Sequence, residues 1–288
     1  MPSDSGYRLV KLPNGACSVH SVAHGETMHP GLGPILEAEA LYVGQLQLTE
    51  RLREVGAREE IVIWDVGLGA AANTLAVLRA LRHAERAARV LSFDITEGPL
   101  QFALSQRKQL GFFDGYEAAL DQLLDCQRAD FQNGRQPVRW ELHLGDFPSL
   151  LKQSPAGSWP KPHAILFDPW SPAKNPSMWT APLFSDLFNL LDATRPCGLS
   201  TYSRSTMLRV SLLLAGFWVG AGSATGRKEE TTMASNRPEL IRQPLDGRWL
   251  ERARRSRSAE PLWELVYRQA PLAPATWERL RRHPQFVS

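Results

Sequence analysis

The chain alternates short runs of consecutive apolar residues with longer stretches in which apolar residues recur at helical spacing. Continuous apolar runs are typical of parallel strands that are buried on both faces. Strands that alternate with helices predict right-handed crossovers, and so an α/β fold with a doubly wound, mostly parallel sheet of seven strands. The predicted strands are residues 61–66, 89–93, 139–144, 164–167, 198–202, 217–220 and 231–234.

The regions flanking this pattern have a different character. Asn14-Gly15 between two alternating stretches predicts a β-hairpin over residues 7–22. Helical spacing predicts one helix over residues 35–55 and a second over 116–131, which is long for a crossover. One sheet-based domain with additions is the economical interpretation of 288 residues. The predicted parts are an N-terminal hairpin and helix extension packed on the core (1–58), the core (59–236) and a basic C-terminal extension (237–288).

Composition narrows the class of protein. A content of 43% hydrophobic and 22% charged residues is ordinary for a globular chain and argues against disorder. Cys17, Cys126 and Cys197 lie far apart without metal-ligand spacing, so no metal site is predicted and we expect reduced, mostly buried thiols. Residues 1–4 lack the features of a signal peptide, and no apolar run approaches membrane length. We therefore expect a cytoplasmic protein.

Positive charge is concentrated near the C-terminus, although the net charge is only +3. A basic region on a near-neutral body fits a polyanionic partner, and a solvated helical face explains it equally well on charge alone. The first cluster is Arg248, Arg252, Arg254, Arg255 and Arg257, and the second is Arg279, Arg281, Arg282 and His283.

A glycine turn and three aspartates follow successive predicted strands. Gly67 and Gly69 lie in the turn between a predicted strand and a predicted helix. Nucleotide-binding turns require this context, but an ordinary tight turn between a strand and a helix has it too. Asp94 ends the next strand, where a carboxylate can accept both hydroxyls of a ribose. Asp146 and Asp168 end the following two strands, so all of these residues should lie at one edge of the sheet. The absence of a phosphate-binding lysine in the turn favours S-adenosylmethionine over ATP or NAD.

A specific family resemblance begins at the last of these aspartates. The segment 168–179, DPWSPAKNPSMW, resembles the D-G-F-[AS]-P-x-x-N-P-x-M-W signature of the tRNA 5-methylaminomethyl-2-thiouridine methyltransferases, the MnmC methyltransferase domain and its stand-alone relatives. The segment 24–29 with Glu37 is similar to the family's G-E-T-x-H…E motif, and 226–229 is similar to its G-R-K-R/E loop. The resemblance covers roughly residues 22–235.

The resemblance implies a Rossmann-like class I S-adenosylmethionine-dependent methyltransferase that methylates the aminomethyl group of a modified wobble uridine in tRNA. Asp168 would be its catalytic residue. The implied cofactor-binding residues are Gly67, Gly69, Asn73, Asp94, Asp146 and Phe147. The implied substrate-binding residues are Glu26, His29, Trp170, Lys174, Asn175, Met178 and Trp179.

The resemblance also implies partners for the protein, and it leaves the roles of three loop residues open. The first arginine cluster and the loop residues Arg227 and Lys228 would contact tRNA, and a separate flavin-dependent oxidase would act upstream. Trp170 and Trp179 could stack on a flipped-out base or pack in the core. Lys174 could pair with a phosphate or remain a solvated loop lysine.

Departures from the family pattern keep alternatives open. Ala71 replaces the third glycine of the turn, which leaves a non-catalytic protein that binds cofactor or RNA as one alternative. Pro169 and Trp170 replace the glycine and phenylalanine after the aspartate, and Asp-Pro-Trp resembles the D-P-P-[YFW] loop of other amino-methyltransferases. Their substrates are amines of other RNA, of protein or of small molecules. A polyamine synthase is a weaker alternative, because its acid-containing glycine motif is absent.

Overall fold

The structure is a computed structural model that describes residues 6–54, 59–153, 158–225 and 229–287. A small antiparallel sheet near the N-terminus consists of β1 (Tyr7–Lys11), β2 (Cys17–Ser21) and β3 (Glu26–Thr27). Asn14 shapes the turn between β1 and β2, because its Oδ1 accepts a hydrogen bond from the backbone N–H of Ala16 at 3.2 Å. The predicted hairpin is confirmed, and the two-residue β3 extends it.

A second sheet of eight strands forms the centre of the molecule. Its strands are β4 (Ile61–Val66), β5 (Ala88–Asp94), β6 (Arg128–Asn133), β7 (Gln136–Leu144), β8 (Ala164–Phe167), β9 (Gly198–Thr201), β10 (Trp218–Gly222) and β11 (Thr231–Ser235). Their spatial order is β10-β11-β9-β8-β4-β5-β7-β6. The central strands β9, β8, β4, β5 and β7 are parallel, and the other pairings are antiparallel. The α/β class and the mostly parallel sheet are confirmed, but the sheet has eight strands where seven were predicted.

Eleven α-helices connect the strands or flank them in the described part of the chain. They are α1 (Pro34–Ala38), α2 (Leu48–Glu54), α3 (Ala72–Leu81), α4 (Gly98–Ser105), α5 (Arg107–Leu110), α6 (Glu117–Cys126), α7 (Phe147–Gln153), α8 (Ala181–Leu190), α9 (Thr206–Ala215), α10 (Gly247–Arg255) and α11 (Pro274–Leu280). The predicted helix 35–55 is divided into α1, a π-helical turn over Glu39–Gly44 and α2, and residue 55 lies outside the described residues.

The additional strand explains an error in the predicted helix over residues 116–131. Helix α6 ends at Cys126, Gln127 adopts a left-handed conformation with φ 55°, and β6 follows at once. Asn133 at the end of β6 pairs with Gln136, and the two-residue turn between them, Gly134-Arg135, returns the chain antiparallel along β7. Helical spacing alone missed this turn.

The sheet is covered by apolar side chains on both faces. Along β8, Ala164 and Leu166 belong to the core on one face, and Ile165 and Phe167 to the core on the other. All four side chains are fully buried, as the continuous apolar run predicted. Alternate residues of a strand point to opposite faces, so a strand covered on both sides needs apolar residues at every position.

The C-terminal extension covers one edge of this sheet. The side-chain amide of Gln285 donates to the carbonyl of Val219 at 2.7 Å, and the N–H of Val219 donates back to Gln285 Oε1 at 2.8 Å. The N–H of Ala221 donates to the carbonyl of Gln243 at 2.9 Å. These bonds satisfy edge groups of β10 that would otherwise be open to another chain.

The thiols do not follow the composition-based expectation. Cys197 is buried and Cys17 is partly buried, but Cys126 is exposed at the end of α6. Within the described ranges, no helix combines the length and apolar character that a membrane span would need.

A buried acid connects β4 to its neighbours. Asp65 Oδ2 accepts hydrogen bonds from Thr74 Oγ1 at 2.7 Å and from Ser92 Oγ at 3.0 Å. The Ser92 hydroxyl in turn accepts a bond from Trp140 Nε1 at 2.9 Å. Burial raises the pKa of Asp65 from 3.8 to about 7, against the opposing effect of the two hydroxyl donors.

The raised pKa of Asp65 predicts that its contribution to the free energy of unfolding decreases as pH rises. Its pKa is higher in the folded state, so the folded protein binds more protons between about pH 4 and pH 7, and the free energy of unfolding falls across that window. The shift corresponds to roughly 4 kcal/mol as an upper limit. We expect Asp65→Asn to gain stability relative to the unsubstituted protein between pH 5 and pH 8, measured by urea denaturation at each pH.

Buried histidines change stability with pH in the opposite direction, and comparing the Asp65→Asn protein with the unsubstituted one cancels their contribution. Burial lowers the pKa of both His163 and His283 to about 4, so these residues make stability rise with pH over the lower part of the window. The two histidines contribute equally in the unsubstituted protein and in the Asp65→Asn protein. A stability difference between the two proteins that does not change with pH would contradict the assignment.

Candidate active site

The carboxyl ends of β4, β5, β7 and β8 meet at a cavity of about 470 Å³, a volume typical of small-molecule sites. The structure brings twelve of the fourteen predicted site residues to its lining. They are Glu26, His29, Gly67, Gly69, Asn73, Asp94, Asp146, Phe147, Asp168, Trp170, Asn175 and Met178. The remaining two, Lys174 and Trp179, do not line it.

The glycine turn after β4 lies directly against the loop after β8. Gly67 has φ 95°, and a Cβ at this position would lie 2.8 Å from the carbonyl oxygen of Asp168. A side chain would therefore separate the turn from the loop. Ala71, which stands in place of the family's third glycine, is fully buried with φ 64°. The left-handed conformation costs about 1 to 2 kcal/mol in residues with a side chain, so the turn keeps its shape against this strain.

Asp94 closes the other side of the turn. Its Oδ2 accepts a hydrogen bond from the backbone N–H of Gly69 at 2.9 Å. Burial raises the pKa of Asp94, and backbone donors including Gly69 partly offset this effect. The next residue, Ile95, lines the cavity with 71% of its surface exposed and was not predicted. A carboxylate followed by an exposed apolar side chain offers acceptors for ribose hydroxyls and a surface for an aromatic base.

The residues after β7 stabilise the local structure and also line the cavity. Asp146 Oδ2 accepts bonds from the Ser149 backbone N–H at 3.2 Å and its hydroxyl at 2.6 Å, which caps the first turn of α7. Phe147 is 3% exposed and packs against Phe93 with ring centroids 4.9 Å apart. The turn role and the lining position that the sequence suggested for Asp146 therefore coexist.

Asp168 lies between the turn and the N-terminal segment. Its Oδ2 accepts a hydrogen bond from Asn73 Nδ2 at 2.8 Å and lies 3.8 Å from His29 Nε2. The other ring nitrogen of His29, Nδ1, lies 4.0 Å from Glu37 Oε2. Glu37 Oε1 is held by the backbone N–H groups of Gly31 and Leu32, at 2.5 and 2.7 Å. An acid, an imidazole and a second acid thus form a continuous row.

Two buried tyrosines complete the surroundings of this carboxylate. Burial raises the pKa of Tyr42 well above its usual value, and the neighbouring Asp168 carboxylate raises it further. Tyr202 shows the same two effects, and its hydroxyl donates to the carbonyl of Pro169 at 3.1 Å. Both phenols therefore stay protonated next to Asp168. Neither was predicted, because no local sequence signal shows that they come close to it.

The loop after Asp168 is fastened to the small N-terminal sheet. The hydroxyl of Ser171 donates to Glu26 Oε1, and the N–H of the same residue donates to Glu26 Oε2 at 3.2 Å. Trp170 stacks on His24 at 4.6 Å between ring centroids, with 15° between the planes. The hairpin extension therefore builds one wall of the cavity.

The prediction for Trp179 requires correction, whereas the prediction for Lys174 stays open. Trp179 is fully buried, and its Nε1 donates to the carbonyl of Trp170 at 2.8 Å. Its ring packs edge-on against Phe167, so it supports the loop from below and cannot stack on a base. Lys174 is exposed outside the cavity lining, a position that suits either a phosphate contact or a solvated lysine. The predicted contacts of Arg227 and Lys228 lie outside the described residues.

The donors and acceptors of the cavity suit S-adenosyl-L-methionine. Within the described residues, Asn73 Oδ1 is buried without a hydrogen-bond partner, next to the turn. An unpaired acceptor at a cavity wall fits a donor such as the ligand's ammonium group. No group of three or more potential metal ligands occurs in the part of the chain that the structure describes.

Comparison with known proteins agrees with this geometry. Residues 113–237 match the model of a family described as S-adenosyl-L-methionine-dependent methyltransferase. The bifunctional tRNA 5-methylaminomethyl-2-thiouridine biosynthesis protein MnmC of Ectopseudomonas mendocina is 29% identical over 218 residues, 73% of this chain and 32% of its own length. Its counterpart in Aeromonas salmonicida is 34% identical over 173 residues, 55% of this chain and 25% of its own length. This chain is an S-adenosyl-L-methionine-dependent methyltransferase that is similar to MnmC.

Its cofactor is accordingly S-adenosyl-L-methionine. The methyltransferase spans between a quarter and a third of the length of these two curated relatives. The crystal structure of MnmC2 from Aquifex aeolicus superposes with a TM-score of 0.70 at 24% identity, covering 97% of this chain and 86% of that one. This likeness shows a common fold, and the class I methyltransferase architecture is confirmed.

We expect Asp94→Ala to weaken binding of S-adenosyl-L-methionine roughly 10-fold or more, because hydrogen bonds to a charged group contribute about 1.5 to 3 kcal/mol. Isothermal titration calorimetry measures the change. Asp130→Ala is the matched control, since Asp130 is a partly exposed acid that pairs with Arg128 and Arg139 on the edge hairpin. Equal affinity in Asp94→Ala and in the control would remove Asp94 from the cofactor site.

Proposed function

We propose that this methyltransferase transfers a methyl group from S-adenosyl-L-methionine to the primary amine of an aminomethyl uridine at the wobble position of tRNA. The observation that carries the proposal is the position of the Asp168 carboxylate, between the glycine turn and a wall built by the N-terminal segment. The relatives' names, which concern biosynthesis of 5-methylaminomethyl-2-thiouridine in tRNA, support the choice of acceptor.

The chemistry requires a neutral amine. The bound cofactor supplies a methyl group on a sulfonium: the N–C bond forms as the C–S bond breaks, leaving S-adenosylhomocysteine. A primary alkylamine is mostly protonated near neutral pH, so it must first lose a proton to free its lone pair. Asp168 can accept a hydrogen bond from the ammonium, take that proton and orient the nitrogen. Holding the nitrogen at reacting distance lowers the barrier further.

The row of residues behind Asp168 offers the proton a route away from the amine. His29 lies between Asp168 and Glu37, with one ring nitrogen facing each carboxylate. Across these gaps of 3.8 and 4.0 Å, a proton taken by Asp168 can pass to His29 Nε2, and Nδ1 can release one toward Glu37, once the groups close to hydrogen-bond distance. Asn73 Nδ2 donates to the same oxygen that faces His29, Asp168 Oδ2, and so fixes the orientation of the carboxylate.

The rim of the cavity suits a nucleobase. Trp170 and His24 form a stacked pair there, and both line the cavity. Aromatic side chains that stack on splayed bases are the common means of reading single-stranded RNA. A uridine turned out of an anticodon loop could rest on Trp170 while its aminomethyl group reaches Asp168.

The direct test is methyl transfer from labelled S-adenosyl-L-methionine to three acceptors: tRNA with aminomethyl-thiouridine, the same tRNA unmodified, and free alkylamines. We expect a methylaminomethyl nucleoside in digests of the first tRNA alone. Transfer to free amines at a comparable rate would instead favour a small-molecule amino-methyltransferase. Transfer to none of the acceptors, with cofactor bound, would contradict the proposed acceptor.

Asp168→Asn should lower kcat at least 100-fold, because an amide cannot take the proton of the ammonium. It keeps the shape of the side chain, so affinity for S-adenosyl-L-methionine should stay within about twofold of the original. Single-turnover methylation and calorimetry measure the two quantities. Asp130→Asn, on the distant edge hairpin, is the control for removing one carboxylate. An Asp168→Asn protein that stays fully active would exclude the carboxylate from the reaction.

His29→Gln tests the proton route separately. Glutamine can still donate a hydrogen bond toward Asp168 but cannot carry a proton onward, so we expect kcat to fall roughly 10-fold or more with KM for tRNA little changed. Added imidazole should restore part of the rate, an effect that a purely structural role would not produce. An unchanged kcat would mean that the proton leaves directly to solvent.

A further inference from the structure

One segment on the protein surface exposes several large apolar side chains to solvent. Eight large hydrophobic side chains are strongly exposed among the described residues, and four of them fall within the five residues Trp263–Tyr267, here called the aromatic strip. Trp263 is 44% exposed, Leu265 67%, Val266 52% and Tyr267 37%. Scattered exposed hydrophobics are normal on proteins, whereas a contiguous group marks an interaction surface.

The strip belongs to a loop that its own hydrogen bonds hold in place. The N–H groups of Ala259 and Glu260 both donate to the carbonyl of Ala270 at 3.0 Å, which ties the two ends of the loop together. Glu260 Oε1 accepts bonds from Trp263 Nε1 at 2.9 Å and from Thr276 Oγ1 at 2.8 Å. Closed loops of this kind are frequently functional. The apolar side chains are therefore presented to solvent by a defined structure.

The same loop is attached to the candidate active site. Leu262, directly before the strip, is 3% exposed and forms a parallel bridge with Thr180. Its carbonyl accepts a hydrogen bond from the N–H of Ala181 at 2.8 Å. Thr180 follows Trp179, whose indole holds the carbonyl of Trp170. The strip thus begins where the loop that carries Asp168 ends.

The charge of the extension that carries the strip favours a polyanion. The extension 237–288 contains eleven arginines against six acidic residues. The guanidinium of Arg279 lies over the ring of Trp263 at 5.8 Å, and that of Arg254 lies over Trp277 at 4.9 Å. Aromatic rings interleaved with arginines are the pattern of proteins that bind single-stranded nucleic acid, where bases stack on rings and cations follow the backbone.

We propose that the aromatic strip and Arg279 bind an unpaired nucleotide of the substrate RNA, adjacent to the nucleotide whose amine reaches Asp168. This inference rests on the proposed function, since it takes the acceptor to be part of a tRNA. The base stacks on Trp263, and Arg279 contacts the phosphate beside it. The strip extends the substrate site beyond the cavity and favours an anticodon loop over an isolated nucleoside.

A second copy of this chain fits the strip less well. A symmetric pairing would place the same surface on both sides of the interface and bring two arginine-rich extensions together. Like charges across an interface oppose association. Self-association through the strip is therefore an outcome that the test must detect.

The test measures binding and turnover of an anticodon stem-loop RNA that carries aminomethyl-thiouridine, by Trp263→Ala, with Trp263→Phe and Val287→Ala as controls. Phe keeps a ring for stacking, and Val287 is an exposed residue elsewhere, 62% accessible. We expect Trp263→Ala to raise Kd and KM for the stem-loop roughly 10-fold, with Kd for S-adenosyl-L-methionine unchanged. Both Trp263 variants lose the hydrogen bond to Glu260, so Trp263→Phe shows how much of any change comes from loosening the loop. Trp263→Phe should keep most of the affinity, and Arg279→Gln should weaken binding and flatten its salt dependence.

Failure of this inference can be told apart from failure of the proposed function. Equal stem-loop affinity in the original protein and in Trp263→Ala would overturn the inference, whichever acceptor is methylated. If binding of the stem-loop depends on Trp263 but the original protein does not methylate the RNA, the result would support RNA binding by the aromatic strip and contradict the proposed acceptor. Loss of a dimer in Trp263→Ala by sedimentation, with unchanged RNA binding, would assign the strip to self-association.

Discussion

The hydrogen bond from Asn73 Nδ2 to Asp168 Oδ2, 2.8 Å long, joins the two halves of the site. Asn73 lies in the first turn of α3, which follows the glycine turn, and Asp168 follows the neighbouring strand β8. The close contact of Gly67 with the Asp168 backbone draws the same two segments together. Because of these contacts, the carboxylate has one position relative to the cofactor-binding turn, and an acceptor amine must come to that position.

The N-terminal segment completes the site from the opposite side. His29 and Tyr42 approach Asp168 from residues before the first strand of the large sheet, and Glu37 lies behind His29. Glu26 fastens the loop after Asp168 through Ser171. The glycine turn itself carries strain at Ala71, whose left-handed backbone a glycine would adopt without cost. The surrounding packing, in which Ala71 is fully buried, holds the turn in the shape that positions Asn73.

The sequence predicted the parts of this structure that depend on local patterns. The buried strand β8, the turn at Gly67 and the placement of Asp94 and Asp168 at one sheet edge follow from apolar runs and from the geometry of parallel strands. Strand β6 was missed, because its pattern is short and its pairing with β7 depends on the turn at Gly134. Tyr42 and Tyr202 could not be assigned, since they meet Asp168 only through long-range packing. The burial of Trp179 is likewise a tertiary outcome.

A crystal structure with S-adenosylhomocysteine would measure where the cofactor's sulfur lies relative to Asp168, the distance on which the proposed methyl transfer depends. We expect the ribose hydroxyls on Asp94, the adenine beside Ile95, and the sulfur facing the Asp168 carboxylate across a gap wide enough for one amine nitrogen and the methyl group. A sulfur directed away from Asp168, or an adenine in the space next to Trp170, would contradict it.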